Sequence, residues 1–183
     1  KNAAIFIIPI ALIFGSKIYI ESREAKITKL NTSNLMPGTS KARLILEGGR
    51  EVLISDKQNY NIGNNIIING DKGEITYDNV QKKSNSIHTL IVPKGGEYRL
   101  VLSDNSIVTL NSESEIQFAE NMNGHERVVS LSGEAYFEIS KDKARPFIIN
   151  SQGLRIKVRG TSFNVTSYND MSKLSVIVDE GSV

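Results

Sequence analysis

Cysteine and tryptophan are both absent from the 183 residues. Without cysteine, disulfide scaffolds and thiolate zinc sites are excluded. Without tryptophan, and with aromatics at only 7% of the chain, a sugar-binding module built on exposed rings is disfavoured. Histidine is scarce: His88 and His125 are the only two. Two isolated imidazoles starve most metal-binding and general-base schemes. An excess of one charge is missing as well, since 22 basic and 20 acidic residues leave a net +2. That near balance gives no electrostatic reason to expect nucleic acid, whose binders cluster lysine and arginine on one face. The expectation is a chain with no metal, no cofactor and no nucleic-acid partner.

What is present is apolar material in quantity. Hydrophobic residues make up 39% of the chain, enough for a real core in one domain with appendages. They are unevenly placed. The opening KNAAIFIIPIALIFGSKIYI carries no charge from Ala3 to Gly15. Extended through Ile20, the stretch is about 18 residues long and spans about 27 Å as a helix, close to the thickness of a bilayer core. Ala3, Ile5, Phe6, Ile10, Leu12 and Phe14 would belong to the transmembrane segment. Lys17 can reach back to the interface and Tyr19 suits an aromatic belt. Pro9 is better tolerated in such a helix than in a soluble one. A signal peptide is the competing reading, but Ser16-Lys17-Ile18-Tyr19 offers no small-x-small cleavage site. A buried helix of a soluble domain is the third. The sequence therefore predicts a transmembrane helix over 1–20, a juxtamembrane extension and linker over 21–40, and a β domain over 41–183. Further residues are expected before Lys1 and after Val183.

From Lys41 the period changes from helical to two. KARLILEGGREVLIS places Ala42, Leu44 and Leu46 on one face, then Val52 and Ile54, with Gly48-Gly49 at the turn. The same pattern recurs in EYRLVLSDNSIVTLN. There Leu100 and Leu102 take the places of Leu44 and Leu46, Asp104-Asn105 that of the glycines, and Val108 and Leu110 those of Val52 and Ile54. This echo predicts one hairpin used twice. Further strands are predicted over 74–77, 115–118, 127–131, 134–139, 147–150, 154–158, 163–168 and 174–178. Ser132-Gly133 reads as the break between the third and fourth of these. The segment 78–86 reads as a loop. The fold class is all-β, an antiparallel β-sandwich or a β-roll of stacked hairpins, preceded by the single helix.

Several stretches of the second half, taken in order, carry a resemblance. VPKGGEYRLVLSDNSIVTLNSES, LSGEAYFEISKDKARPFIIN, VRGTSFNVTSYND and VDEGSV resemble the FecR family of single-pass inner-membrane sigma-factor regulators, or anti-sigma factors. The motif positions are Asp104, Gly133, Glu134, Phe137, Pro146, Phe147, Gly160, Thr161, Phe163 and Asn164, and most would be structural. Asn105 replaces the usual turn glycine, a substitution that the left-handed tolerance of asparagine permits. The resemblance implies a cytoplasmic segment that holds an extracytoplasmic-function (ECF) sigma factor, one inner-membrane helix, and a periplasmic domain. That domain would sense the N-terminal signalling domain of a TonB-dependent outer-membrane transducer. It implies no enzyme. A lone helix lacks a packed partner with two discrete arrangements, so regulated cleavage is the expected output rather than a small conformational relay.

The best enzyme-like pair is Glu134 and Glu138 in GEAYFEI. On a strand these lie about 13 Å apart at about 3.3 Å per residue. Glycosidase carboxylates need about 5–5.5 Å or about 6.5–9.5 Å. With Ala135, Phe137 and Ile139 filling the other face, the stretch reads as a wet strand over a core. GTSFNV lacks the lysine and the helix of a phosphate loop. Gly160 instead reads as a bend, with Phe163 and Val165 entering the core. Arg155, Lys157 and Arg159 alternate with Leu154, Ile156 and Val158. They form either a solvated edge or a partner surface. A periplasmic or surface carbohydrate-binding β-sandwich remains the alternative function.

Overall fold

A computed structural model of the chain describes residues 42–55, 57–63, 65–78, 86–171 and 173–180. The predicted membrane helix, the 21–40 linker and most of the 78–86 loop lie outside the described residues. Among the described residues no helix is long and apolar enough to cross a membrane.

Among the described residues fourteen strands form one curled sheet. In chain order they are β1 (Ala42–Ile45), β2 (Glu51–Ile54), β3 (Asn59–Ile62), β4 (Ile66–Asn69), β5 (Glu74–Tyr77), β6 (Ile87–Val92) and β7 (Tyr98–Val101). There follow β8 (Ile107–Leu110), β9 (Ser114–Ala119), β10 (Arg127–Glu138), β11 (Phe147–Ser151), β12 (Leu154–Val158), β13 (Ser162–Ser167) and β14 (Ser175–Glu180).

The organising element is β10. Its first half pairs antiparallel with β9 and parallel with β11, and its second half pairs antiparallel with β8 and β13. Two wings grow from it. One runs β2-β1-β6-β9-β10-β11-β12 and the other β3-β4-β5-β7-β8-β10-β13-β14. Tyr77 of the second wing meets Phe118 of the first edge-on at 5.1 Å between ring centroids, so the wings face each other. Leu44, Leu90, Ile116 and Val129 from one wing, and Leu100, Val108, Phe137 and Phe163 from the other, belong to a single buried cluster.

The architecture corrects the expectation in two ways. The all-β class holds, but the antiparallel pattern is broken by two parallel pairs, β5 with β7 and β10 with β11. The two strands predicted around Ser132-Gly133 are one twelve-residue strand. Gly133 does not end it. With φ at +102° it bends the strand, which exchanges β9 for β8 as a neighbour on one side and β11 for β13 on the other. A bend that leaves the inward phase intact keeps Arg127, Val129, Leu131, Ala135 and Phe137 all buried.

The hairpin echo is present in three dimensions. Leu44 pairs with Val52 and Ala42 with Ile54, and Leu100 pairs with Val108 and Tyr98 with Leu110. Each turn closes with the same two bonds, Leu46 N–H to the Arg50 carbonyl and Gly49 N–H to Leu46 in the first, Leu102 to Ser106 and Asn105 to Leu102 in the second. Asn105 takes the left-handed φ of +63° that its position demands.

Candidate functional site

The motif residues divide between the two faces of the sheet. Phe137, Phe147 and Phe163 point inward. Phe137 stacks on Phe163 at 5.3 Å and meets Phe147 at 6.3 Å between centroids. These three join strands of both wings, so GEAYFE, PF and GTSFNV share one aromatic cluster in the core.

Beside that cluster lies a buried ion pair. The Arg127 guanidinium donates to Asp104 Oδ2 at 2.7 Å, and the two side chains are 1% and 4% exposed. Arg127 also donates through Nε to the Arg145 carbonyl at 3.0 Å and through Nη1 to the Ser140 carbonyl at 3.0 Å. Its carbon lies 5.5 Å from the centroid of the Phe147 ring, a distance at which a cation is attracted to the π face. Asp104 accepts from the backbone N–H and the hydroxyl of Ser106, and the Ser106 hydroxyl accepts from Ser140 N–H at 3.1 Å. Pro146 enters the same network, its carbonyl accepting from Arg127 N–H. A charge this deep is tolerable only when so surrounded. Asp104 and Pro146, named from sequence as motif positions, therefore hold the loops at one end of β10. Arg127 was not named. Its signal was available, since it keeps the inward phase of Val129 and Leu131.

Both motif glycines are required by close approach. A Cβ on Gly133 would lie 2.5 Å from the Ser114 hydroxyl and 2.6 Å from Ser114 Cα. Ser114 Oγ accepts from Glu134 N–H at 2.8 Å and donates to the Glu134 carbonyl at 3.0 Å, bracing the bend. On the other side Ser151 donates to the Leu131 carbonyl, and its hydroxyl lies 2.6 Å from that of Ser167. Gly160, with φ at +136°, would drive a Cβ to 2.8 Å from Lys141 Cα. Thr161, next to it, is buried and its carbonyl accepts from Ile139 N–H.

Glu134, Tyr136, Glu138 and Asn164 occupy the outer face. Asn164 donates to Glu134 Oε1 at 3.2 Å and to the Thr166 hydroxyl at 3.2 Å. The Tyr136 hydroxyl is bonded to Asp179, which raises its pKa above the ordinary value. Register pairs Glu134 with Thr166 and Glu138 with Ser162, so the two carboxylates remain four ladder pairs apart along an open face. This arrangement holds no acid–base pair over a cleft.

A histidine outside the motifs has an unexpected setting. The His88 Nδ1 lies 2.8 Å from the Tyr77 hydroxyl, and both side chains are buried. The pair ties β5 of one wing to β6 of the other, with Phe118 against both rings. Burial lowers the His88 pKa, against the pull of Glu120 and Glu47 that raises it, and burial raises that of Tyr77. Read alone, His88 at a strand start carried no signal, because its tyrosine sits on a different strand.

The outer face of the first wing carries a groove of about 480 Å³ under the 121–126 turn, lined by Ile87, Ala119, Val128 and the turn itself. Its single carboxylate, Glu126, is ion-paired with Arg155. Arg155, Lys157 and Arg159 are exposed as predicted, while Ile156 and Val158 are buried. Among the described residues no group of three histidine or acidic side chains could hold a metal ion.

Two crystal structures of a candidate anti-sigma factor from Parabacteroides distasonis are similar to this chain, each at 27% identity. One match covers 52% of this chain and 49% of that one with a TM-score of 0.46, the other 51% and 48% with 0.45. The chain spans about half the length of these structures. No curated protein matches it. The family model of the FecR protein matches residues 88–183, somewhat more than half of the chain, and takes in the Asp104 turn, the Gly133 bend and the aromatic cluster: the chain belongs to the FecR family.

Proposed function

We propose that the chain is the anchor and central domain of an anti-sigma regulator, working by contact and not by catalysis. In this reading residues 1–20 cross the inner membrane and the β domain lies in the periplasm. A cytoplasmic segment holds an ECF sigma factor, and the signal comes from the N-terminal domain of a TonB-dependent outer-membrane transducer. The observation that carries the reading is the family match over 88–183. The inward motif residues support it by having structural work: Phe137, Phe147 and Phe163 fill the core and Asp104 neutralises Arg127. The outward pair Glu134 and Glu138 lacks a cleft, which supports a surface that is touched over one that reacts.

The test is transcription. Cells carrying a reporter driven by the partner sigma factor are compared with and without the whole protein. Reporter output should change when the protein is removed, and tagged protein should copurify with the sigma factor. Unchanged output together with no copurified sigma factor would reject the reading.

A further inference from the structure

Asparagine followed by glycine occurs twice in the chain, at Asn69-Gly70 and at Asn123-Gly124. Such a pair is reactive for a local reason. The glycine nitrogen can attack the side-chain amide of the asparagine before it, and a glycine has no Cβ to shield the approach. The attack needs a free nitrogen and a peptide that can rotate, and the two sites differ in both. Asn69 ends β4, which is paired with β3 on one side and β5 on the other. Gly70 is buried, and its N–H donates to the Gln58 carbonyl at 3.2 Å. A Cβ on Gly70 would lie 2.3 Å from the Ser55 carbonyl oxygen, so backbone closes around the site. Asn123 and Gly124 are exposed, in the turn between β9 and β10. That turn is anchored at both ends. Met122 N–H donates to the Ser103 hydroxyl at 2.9 Å, and the Met122 carbonyl accepts from Arg145 at 3.1 Å. At the other end Arg127 N–H donates to the Pro146 carbonyl. Between the anchors the Asn123 N–H donates to Asn121 Oδ1. Among the described residues neither the Asn123 side-chain amide nor the Gly124 N–H has a hydrogen-bond partner.

We propose that Asn123 is a site of spontaneous deamidation, and that Asn69 is protected from the same reaction by the fold. The Gly124 nitrogen forms a bond to Asn123 Cγ, the Cγ–Nδ2 bond breaks, and ammonia leaves with the proton that the Gly124 nitrogen gives up. Water then opens the cyclic imide at either of its carbonyls, which yields aspartate or isoaspartate. One water is consumed, one ammonia is released, and no oxidant or reductant takes part. Either product places a carboxylate in the turn that walls the outer groove, beside Gly124 and close to Glu126 of its lining. Isoaspartate also adds a carbon to the main chain between the anchors at Met122 and Arg127. The modification thus changes the charge, and in one product the shape, of an exposed surface while leaving the core network below it in place.

The test incubates the intact chain in mildly alkaline buffer, once folded and once in guanidinium chloride, and maps both asparagine peptides over time by mass spectrometry. In the folded chain the amide-to-acid mass change should accumulate at Asn123 about tenfold or more faster than at Asn69, which can react only when β4 opens. In denaturant the two rates should converge, since the sequence around each glycine is then equally free. Asn123→Gln, at an exposed position, should stay unconverted at that position, because its longer side chain closes the ring poorly. No conversion at Asn123, equal rates at the two sites in the folded chain, or a difference that persists in denaturant would each overturn the proposal.

Discussion

At the scale of single residues, the buried pair of Asp104 and Arg127 concentrates the most consequence in the fewest atoms. Removing one partner leaves an uncompensated charge inside, which costs about 3–5 kcal/mol. Asp104→Ala should therefore lower the unfolding free energy obtained from urea titrations by that much, and adding Arg127→Met should restore a large part. If the double variant is as unstable as the single one, the charge is not what the aspartate neutralises. Gly133→Ala meets two obstacles at once, a φ of +102° and Ser114 atoms within 3 Å of the new methyl. A loss of about 2–4 kcal/mol is expected, read as a fall in melting temperature. An unshifted melting curve would show that the bend can relax. The inward position of Arg127 was legible, since it sits in phase with Val129 and Leu131. Its partner was not, because a contact between residues 104 and 127 is fixed by strand pairing that no local pattern reports.

At the scale of elements, the two matched hairpins were the most legible part of the fold, because a two-residue period and a turn signal are both local. Asn105 tests that logic. Asn105→Gly should hold or slightly raise stability, whereas Asn105→Ala should cost about 1 kcal/mol, since alanine resists the left-handed region. The Gly133 region was misread as two strands because glycine after serine resembles a turn. The distinction rests on Ser114, Ser151 and Ser167 bracing the bend from other strands. Parallel pairing of β10 with β11 and of β5 with β7 was invisible for the same non-local reason. The tie between the wings at His88 and Tyr77 predicts a pH dependence. The folded pKa of His88 lies below its unfolded value of about 6.5, so the unfolded chain takes up the proton first. Stability attributable to His88 is present above that value and falls as the pH drops through it. Denaturant midpoints should decline more between about pH 7.5 and about pH 5.5 in the native chain than in His88→Gln. Equal declines would place the titration elsewhere.

At the scale of the whole molecule, a chain that signals by touch has different sensitivities from one that turns over a substrate. Its core motif residues should be intolerant of change, and its outward carboxylates should be expendable. Regulated cleavage, if it is the output, should produce a shortened species on immunoblots after the inducing signal; constant full length under induction would remove that step. The claim of contact without chemistry is tested most directly by one double variant, Glu134→Gln with Glu138→Gln. It keeps the hydrogen bond that Asn164 offers while abolishing any acid–base function. The measurement is sigma-dependent reporter transcription in cells carrying the whole protein, with melting temperature as the control for folding. The account predicts that regulation and melting temperature both match the native protein. Regulation lost while the melting temperature stays the same would contradict it.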